Sequence, residues 1–226
     1  MKIGDYREYL QRQAIPGDAI EKQMHSALQP ATPDMALVAS GLIYLTMRQT
    51  ADYLFGSDNA QQTLSRLFEM KSNRFSHQFS EVINPSGKIA GLVVSYPGQL
   101  MRKLELPTAL RVVQAIGIFG FFRFVRQALP LLNVKEAAPD EYYISNIAVL
   151  PEQQGYGLGS QMLRWVEKKA RQQGYQKISL TVDIENERAL SLYCRTGFEV
   201  VQTIGAESLR RHIGYGGSYR MVKNLI

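Results

Sequence analysis

The residues in this 226-residue chain whose types and spacing best suit chemistry are the glycines of one short segment, residues 154–160. The segment reads Gln-Gly-Tyr-Gly-Leu-Gly-Ser, so every second position is a glycine, at Gly155, Gly157 and Gly159. Because glycine leaves no side chain over a turn, backbone N–H groups can approach an anion there. A helix pattern follows at once, and a helix N-terminus adds roughly half a positive charge. The segment therefore predicts a phosphate-binding site.

The elements that must position these glycines are a strand before them and a helix after them. A nearly continuous apolar run over residues 142–150 predicts a central strand covered on both faces, which Pro151 ends. The following periodicity predicts a helix from Ser160 to about Gln173, stopped by Gly174. Beyond it, the patterns predict a strand at 178–184, a helix at 187–196 that Asn186 caps and Gly197 ends, and strands at 198–204 and 219–225.

The first half of the chain shows helical periodicity and one hairpin. We predict one or two short polar helices in residues 1–24 and a short strand at 25–30. A helix should run from Pro33 to near Gly56 with Thr32 as cap, followed by a second helix capped by Asp58 or Asn59. A hairpin should pair 79–83 with 89–94 around Asn84-Pro85-Ser86-Gly87. No repeat or composition break divides the chain. We therefore expect one domain over 1–226, with a helical extension at 1–24 and a helical insertion at 99–139.

The insertion contains a predicted helix over 107–129, begun by Pro107 and stopped by Pro130. It holds more apolar residues than one face requires. Packing on the core or in a homodimer, closing as a substrate lid, and lying at a membrane interface are all compatible with this composition. The most apolar stretch, 112–125, is interrupted by Gln114 and Arg123, so we expect no stable membrane insertion.

Composition narrows the class of protein. Apolar residues make up 45% of the chain and the formal charge is +6, an ordinary globular balance with a mild basic excess. No five basic residues run together, so we favour a polyanionic cofactor or a plain solvated surface over nucleic acid as the reason for this excess. The single cysteine, Cys194, excludes an internal disulfide, and three scattered histidines suggest no metal site. The charged N-terminus does not look like a signal peptide, and we expect a cytoplasmic protein.

These motifs resemble those of the GNAT superfamily of N-acetyltransferases. Its phosphate-binding signature is Gln or Arg, two residues, Gly, one residue, then Gly or Ala, and residues 154–159 match it. The flanks match as well: Ile147-Ala148-Val149 and Pro151 before the glycines, and Asn186, Ala189, Leu192-Tyr193 and Gly197-Phe198 after them. A dinucleotide fingerprint would need Gly-x-Gly-x-x-Gly, which this spacing does not provide. A purely structural turn would not account for the flanks.

The resemblance implies a mixed α/β fold, whose central, mostly antiparallel sheet has splayed middle strands and helices on both faces. It implies acetyl-CoA as cofactor, with the pyrophosphate on the amides of residues 155–160 and the pantetheine arm along residues 147–149. A backbone N–H near Ile147 or Val149 would polarise the thioester carbonyl. The implied cofactor-binding residues are Ile147, Ala148, Val149, Gln154, Gly155, Tyr156, Gly157, Leu158, Gly159, Ser160 and Asn186. Capping alone would also explain Asn186.

The resemblance implies that Tyr193 protonates the departing CoA sulfur, although an aromatic residue filling the core is the alternative. The base is not identified. Some amino-terminal acetyltransferases of ribosomal proteins carry a glutamate where this chain has Thr181, and threonine cannot replace it. Glu81, Glu141 and Asp183 lie in or near predicted strands, but each fits an exposed strand residue better than a base.

The sequence thus predicts an acetyl-CoA-dependent N-acetyltransferase acting on a primary amine of a small molecule or peptide, by direct attack in a ternary complex. One alternative is transfer of a longer acyl chain or to a hydroxyl acceptor, because the helix at 107–129 could line an acyl pocket. Another is a non-catalytic acyl-CoA sensor. The acceptor itself is not readable from segments 32–75, 97–140 and 205–218, which we expect to grip it.

Overall fold

One seven-stranded sheet organises the part of the chain that the computed structural model describes, residues 28–85, 87–129, 135–205 and 216–225. The strands are β1 (Gln29–Pro30), β2 (Ser80–Ile83), β3 (Gly91–Pro97), β4 (Tyr142–Val149), β5 (Lys177–Asp183), β6 (Glu199–Ile204) and β7 (Ser218–Asn224). Their order is β1-β2-β3-β4-β5-β7-β6, and only β4 and β5 pair in parallel. The predicted mixed, mostly antiparallel sheet is confirmed. The helices predicted in residues 1–24 lie outside the described residues.

Helices cover both faces of the sheet, as predicted. They are α1 (Ala36–Thr46), α2 (Arg48–Phe55), α3 (Ala60–Glu69), α4 (Leu100–Ala128), α5 (Leu158–Gln172) and α6 (Glu187–Arg195). Side chains of β3 alternate between two buried clusters: Leu92 and Val94 pack with α1 to α4, whereas Val93 packs with α5 and α6. Strand β3 is thus buried on both faces, which explains its continuous apolar run.

The helix predicted from Pro33 to near Gly56 is interrupted, and that prediction was wrong in its continuity. A 3₁₀ turn at Pro33–Met35 precedes α1, and Met47 (φ −143°, ψ 32°) separates α1 from α2. Thr46, the last residue of α1, lies at this break: its hydroxyl donates to the Ile43 carbonyl at 2.7 Å, in competition with regular helical bonding, and accepts from Asn146 of β4 at 2.7 Å. The predicted cap Thr32 makes no side-chain capping bond.

Helix α4 begins seven residues before its predicted start at Pro107, which lies inside the helix. Proline has no N–H to donate, but the turns on both sides pack against the body of the protein through Leu104 and Val112. A non-helical residue, Gly117 (φ 73°, ψ 171°), divides α4 into two segments. Phe124 in the second segment stacks on Phe55 of α2, with ring centroids 5.6 Å apart.

The outward face of α4 and its end is exposed and apolar: Leu106, Leu110, Ile118, Phe119, Phe122, Val125 and Leu129 all lie there. Phe119 is 88% exposed. Among the described residues, α4 is the helix whose length and composition would allow it to cross a membrane. The sequence prediction rested on the apolar stretch at 112–125, which is too short to do so. The structure buries one face of this helix. The exposed face was predicted to pack in a homodimer, to act as a lid or to lie at a membrane interface, and these three uses stay predictions.

A buried ion pair ties the entry of β4 to β7. Both carboxylate oxygens of Glu141, which is 4% exposed, lie 2.5 Å from Nη2 of Arg220, which is 8% exposed. The Ala138 N–H also donates to Glu141, at 2.8 Å. The expectation that Glu141 is an exposed strand residue was therefore wrong.

We expect Glu141→Gln to lower the free energy of unfolding by about 3 kcal/mol, because it leaves Arg220 buried without a counter-charge. Urea denaturation measures this loss. The matched control is Asp140→Asn, which removes the ion pair to Lys177 between side chains that are 65% and 44% exposed. That change should cost less than about 1 kcal/mol. Equal losses in the two variants would show that the Glu141 pair does not stabilise the fold.

Candidate functional site

The central feature of the candidate site is a gap between β4 and β5. Strand β4 pairs with β3 along its whole length, from Tyr142 to Val149, but with β5 only at Tyr142, Tyr143 and Ile144. Beyond Ile144 the two strands part, and Ser145 bulges where the β3 register shifts. Residues 147–149 are partly exposed in consequence, although they lie in the middle of the sheet. The splay that the resemblance implied is present.

The backbone of β4 directs donors into this gap. The Leu150 N–H donates to the Ala90 carbonyl on the β3 side, at 2.9 Å. Because neighbouring residues of an antiparallel pair alternate in the direction of their N–H groups, those of Ile147 and Val149 point away from β3. The Val149 carbonyl, which faces the same way, accepts from the Gln154 side chain at 3.1 Å. The gap thus offers two N–H groups to a ligand.

The glycine turn lies at the end of β4, and its glycines have two different roles. Gly155 (φ 94°) and Gly157 (φ 78°) adopt positive φ, and a Cβ at either would meet nothing within 4 Å. The space above them is therefore open. A Cβ on Gly159 would instead lie 3.1 Å from Leu192 of α6, so this glycine allows α5 and α6 to pack closely.

The N-terminus of α5 is free to bind an anion. Its first helical hydrogen bond runs from the Gln161 N–H to the Gly157 carbonyl at 3.0 Å, so the N–H groups of residues 158–160 have no partner inside the helix. The cap residue Gly157 has no side chain to accept them, and the first turn contains no acidic residue. These donors and the helix dipole suit a phosphate group.

Two polar side chains flank the glycine turn. Asn186 caps α6 by accepting the Ala189 N–H at 3.1 Å, as the sequence predicted. Arg188 of the same helix donates to Gln154 at 2.6 Å, which adds a positive charge beside the turn. Sequence reasoning did not identify Arg188, because nothing in its local pattern places it near residue 154.

Tyr193 lies on α6 and is 6% exposed. Its ring packs on Phe198, with centroids 5.9 Å apart, and its hydroxyl makes no hydrogen bond to any residue that the structure describes. Burial raises the pKa of Tyr193 well above the ordinary value for a phenol. The phenol therefore stays protonated at neutral pH and can donate a hydrogen bond into the space beside it.

One cavity of about 1190 Å³ connects these features. Eleven of the twelve predicted site residues line it: Ile147, Ala148, Val149, Gln154, Gly155, Gly157, Leu158, Gly159, Ser160, Asn186 and Tyr193. The exception is Tyr156, whose side chain is 45% exposed on the outside of the turn. The cavity continues past the splay to a wall formed by α2 and α4.

A polar cluster that the sequence did not predict lies on this far side. Arg74 makes an ion pair with Glu136 and also donates to the Tyr96 hydroxyl at 3.3 Å. The Tyr143 hydroxyl donates to Glu136 at 3.3 Å and lies 3.4 Å from Thr181 Oγ1. Burial, and next the charge of Glu136, raise the pKa of Tyr143 well above the ordinary value for a phenol, so this hydroxyl also stays protonated.

The three carboxylates that the sequence analysis considered as a base, Glu81, Glu141 and Asp183, lie outside this polar cluster. Glu81 accepts from Lys169 at 3.0 Å and Trp165 at 3.4 Å and does not line the cavity. Glu141 is paired with Arg220. Asp183 lines the cavity, but it accepts the backbone N–H of Glu185 at 3.1 Å beside the α6 cap. Within the described ranges, no cluster of three or more His, Cys, Asp or Glu side chains could hold a metal ion.

Comparison with known proteins identifies the family. The model of the acetyltransferase (GNAT) family matches residues 61–198, which include the glycine turn, the splay and Tyr193. The chain belongs to the GNAT acetyltransferase family. The match covers more than half of the chain and also includes Arg74 and Glu136, so the polar cluster lies within the GNAT domain.

Several GNAT proteins resemble this chain. Over 56 residues it is 38% identical to aminoalkylphosphonate N-acetyltransferase of Salmonella typhimurium, a match that spans 25% of the chain and 36% of that relative. An N-acetyltransferase from Staphylococcus aureus Mu50 has a TM-score of 0.68 at 24% identity, covering 87% of this chain and 99% of its own. A Bacillus subtilis acetyltransferase, solved in complex with CoA, has a TM-score of 0.51 at 18% identity, covering 88% and 97%. These two structures share the GNAT fold with the chain.

Proposed function

We propose that this GNAT protein transfers acetyl from acetyl-CoA to a primary amine of a small molecule or peptide, by direct attack in a ternary complex. One observation carries the proposal. A single cavity joins the glycine turn at the start of α5, the N–H groups exposed by the splay of β4 and β5, and the hydroxyl of Tyr193. Phosphate binding, carbonyl polarisation and sulfur protonation need these three groups in one connected space.

The residues present fit acetyl-CoA. The N–H groups of residues 158–160, below the open space at Gly155 and Gly157, suit the pyrophosphate. Arg188 adds a positive charge beside them. The free N–H groups of Ile147 and Val149 suit a pantetheine arm that adds to β4 as a strand does to a sheet edge. The bound thioester would supply the activated acetyl group.

The chain's own groups would then act on the reacting atoms. An N–H of Ile147 or Val149 would donate to the thioester oxygen and stabilise the negative charge that develops when the amine attacks. Tyr193 would donate a hydrogen bond to the sulfur as the C–S bond breaks. Because its pKa is raised, the phenol is protonated before the reaction. It would give its proton to sulfur and take one from the new amide nitrogen, so no charge would remain on Tyr193.

Two relatives support this proposal by what they act on or bind. The Salmonella typhimurium protein is an N-acetyltransferase for aminoalkylphosphonates, which are amines, and the Bacillus subtilis structure contains CoA. Neither assigns an acceptor to this chain, because the first match covers 36% of that relative and the second is 18% identical.

The test is binding followed by turnover. We expect acetyl-CoA to bind in isothermal titration calorimetry, and CoA release to accelerate with at least one member of a panel of monoamines, polyamines and peptides. If acetyl-CoA does not bind, the proposed function is wrong. If it binds and no acceptor increases CoA release, the protein is better described as an acyl-CoA sensor.

A longer acyl chain is the second candidate, and the apolar lining of the cavity favours it. Met101, Val112 and Phe124 of α4 face the same cavity as the splay. We expect Met101→Phe, which narrows this arm, to leave the ratio of the rates with acetyl- and hexanoyl-CoA unchanged within about twofold, since an effect on the acceptor would lower both rates alike. Rates with acetyl-, butanoyl- and hexanoyl-CoA at a fixed acceptor concentration measure this. A wild-type preference for hexanoyl-CoA that Met101→Phe abolishes would replace acetyl by a longer acyl group.

A further inference from the structure

We propose that Glu136 binds the protonated acceptor amine and accepts its proton, and that the natural acceptor is a primary amine carried by an apolar group. This inference rests on the proposed function and adds the acceptor side of the same cavity. It concerns a residue outside all regular helices and strands, on the segment that leads into β4.

Glu136 lies at the fork where the two central strands part. Its Oε2 atom accepts from the Tyr143 hydroxyl at 3.3 Å, and that hydroxyl lies 3.4 Å from Thr181 Oγ1. The last paired residues of β4 and β5 are Ile144 and Leu180, the immediate neighbours of Tyr143 and Thr181. The carboxylate therefore lies at the closed end of the fork, on the face of the sheet where Tyr143 packs with α1 to α4.

The carboxylate is held in place but keeps one oxygen free. Arg74 and Tyr143 both bond to Oε2, whereas no described residue donates to Oε1. Arg74 is itself fixed by the Tyr96 hydroxyl and by its own backbone N–H, which donates to Thr108 of α4 at 3.1 Å. A fixed carboxylate with a free oxygen lining a cavity is suited to an ammonium group.

The other carboxylates that line the cavity are less suited. Asp183 and Glu185 lie beside Asn186, at the end of β5 next to the glycine turn, where they would face the cofactor rather than the acceptor. Glu105 of α4 is exposed, and no described residue donates to its carboxylate, so nothing fixes it in place. Glu136 is therefore the carboxylate that an amine at the fork would meet.

The wall beyond Glu136 indicates what the amine carries. Phe75 follows Arg74 in the chain, and Met101 and Val112 of α4 line the same side of the cavity. All three belong to, or pack against, the buried cluster of α1 to α4. An acceptor with its nitrogen at Glu136 would place an apolar substituent against these side chains, where burial is favourable.

The proposed step balances in protons and electrons. The ammonium gives one proton to Glu136, and the amine lone pair forms the C–N bond to the thioester carbon. The C–S bond breaks, and its electron pair leaves with sulfur. The second proton leaves the nitrogen and reaches sulfur through the Tyr193 phenol. Glu136 then releases its proton to water, so the products are the amide, the thiol and one proton.

The test compares two amines that differ in protonation. Phenethylamine is a cation at pH 7, whereas 4-methylaniline is neutral. We expect Glu136→Gln to lower kcat/KM for phenethylamine about 100-fold at pH 7. The loss for 4-methylaniline should be below about fivefold, because that amine needs no proton removed before it attacks. With phenethylamine, the kcat/KM of the variant should rise about tenfold per pH unit toward the amine pKa near 10.

Two controls separate this role from a structural one. Glu105→Gln removes another cavity carboxylate and should leave both amines unaffected. The double variant Arg74→Gln, Glu136→Gln removes both partners of the ion pair. If Glu136 serves only to balance Arg74, the double variant recovers activity toward phenethylamine; we expect it to stay as low as Glu136→Gln. Recovery, or an equal loss for both amines in Glu136→Gln, overturns the proposal.

A binding measurement keeps the inference testable without turnover. Calorimetry with phenethylammonium and the CoA-loaded protein should show at least about tenfold weaker binding for Glu136→Gln, a change in affinity of about 1.4 kcal/mol. Equal affinities for the two proteins, or no binding to the wild type, overturn the amine site while leaving CoA binding intact. Failure of acetyl-CoA itself to bind would instead overturn the proposed function.

Discussion

Replacing Gly157 by aspartate is expected to weaken acetyl-CoA binding at least about 100-fold, or about 2.7 kcal/mol. Gly157 is the cap of α5, and the space above it is open. An aspartate there would place a negative charge where the pyrophosphate binds, and its oxygens would accept the N–H groups of residues 158–160. Isothermal titration calorimetry with acetyl-CoA measures the loss.

Two variants isolate the cause. Gly157→Asn adds nearly the same bulk without the charge, so its smaller loss of affinity would measure the steric share. Gly174→Asp places the same residue at φ 81°, also with open space around it, but at the far end of α5. Each substitution should destabilise the fold by about 1–2 kcal/mol, because an L-residue disfavours positive φ. Unchanged acetyl-CoA affinity in Gly157→Asp would refute the phosphate site.

The grouping of the predicted cofactor residues in one place could be anticipated because these residues lie close together in sequence. Strand β4, the glycine turn, α5 and α6 occupy one stretch, and each has a local signal: an apolar run, alternating glycines, helical periodicity and an asparagine cap. These signals give the number of residues between the elements, and within a strand–turn–helix unit that number determines how the elements are arranged. Eleven of twelve predicted residues accordingly line one cavity.

The proposed acceptor side could not be predicted in this way. Arg74 and Glu136 are separated by 62 residues, and both lie outside helices and strands, so no periodicity marks either. Their meeting depends on the position of α4, whose start the sequence misplaced because proline usually begins a helix rather than lying inside one. A carboxylate supplied by a connecting segment is visible only once the fold brings it to the fork.

The sequence was also uninformative where side chains override helical periodicity. The pattern from Met35 to Phe55 is continuous, yet Thr46 bonds both to its own helix and to Asn146, and the helix breaks at the next residue. This break positions α2, whose residues Leu54 and Phe55 form part of the cavity wall. The wall of the proposed acceptor site thus includes a helix break that periodicity does not mark and that coincides with a tertiary hydrogen bond.

Tyr193→Phe is expected to lower kcat about 100-fold with an identified acceptor, while acetyl-CoA affinity stays within about twofold. The change removes one hydroxyl that has no described hydrogen-bond partner, so the free energy of unfolding should change by less than about 0.5 kcal/mol. The matched control is Tyr175→Phe, which removes a hydroxyl bonded to Gln99 outside the cavity. It should leave kcat unchanged.

The pH dependence gives a second test of Tyr193. A raised pKa favours the protonated phenol, so wild-type activity should not fall through ionisation of Tyr193 as the pH rises from 6 to 10. The ratio of wild-type to Tyr193→Phe turnover should therefore be constant over this range. A ratio that declines toward one above pH 8 would indicate a phenol that ionises there, which contradicts the buried environment. If Tyr193→Phe instead turns over at the wild-type rate at every pH, sulfur receives its proton from the amine nitrogen without Tyr193.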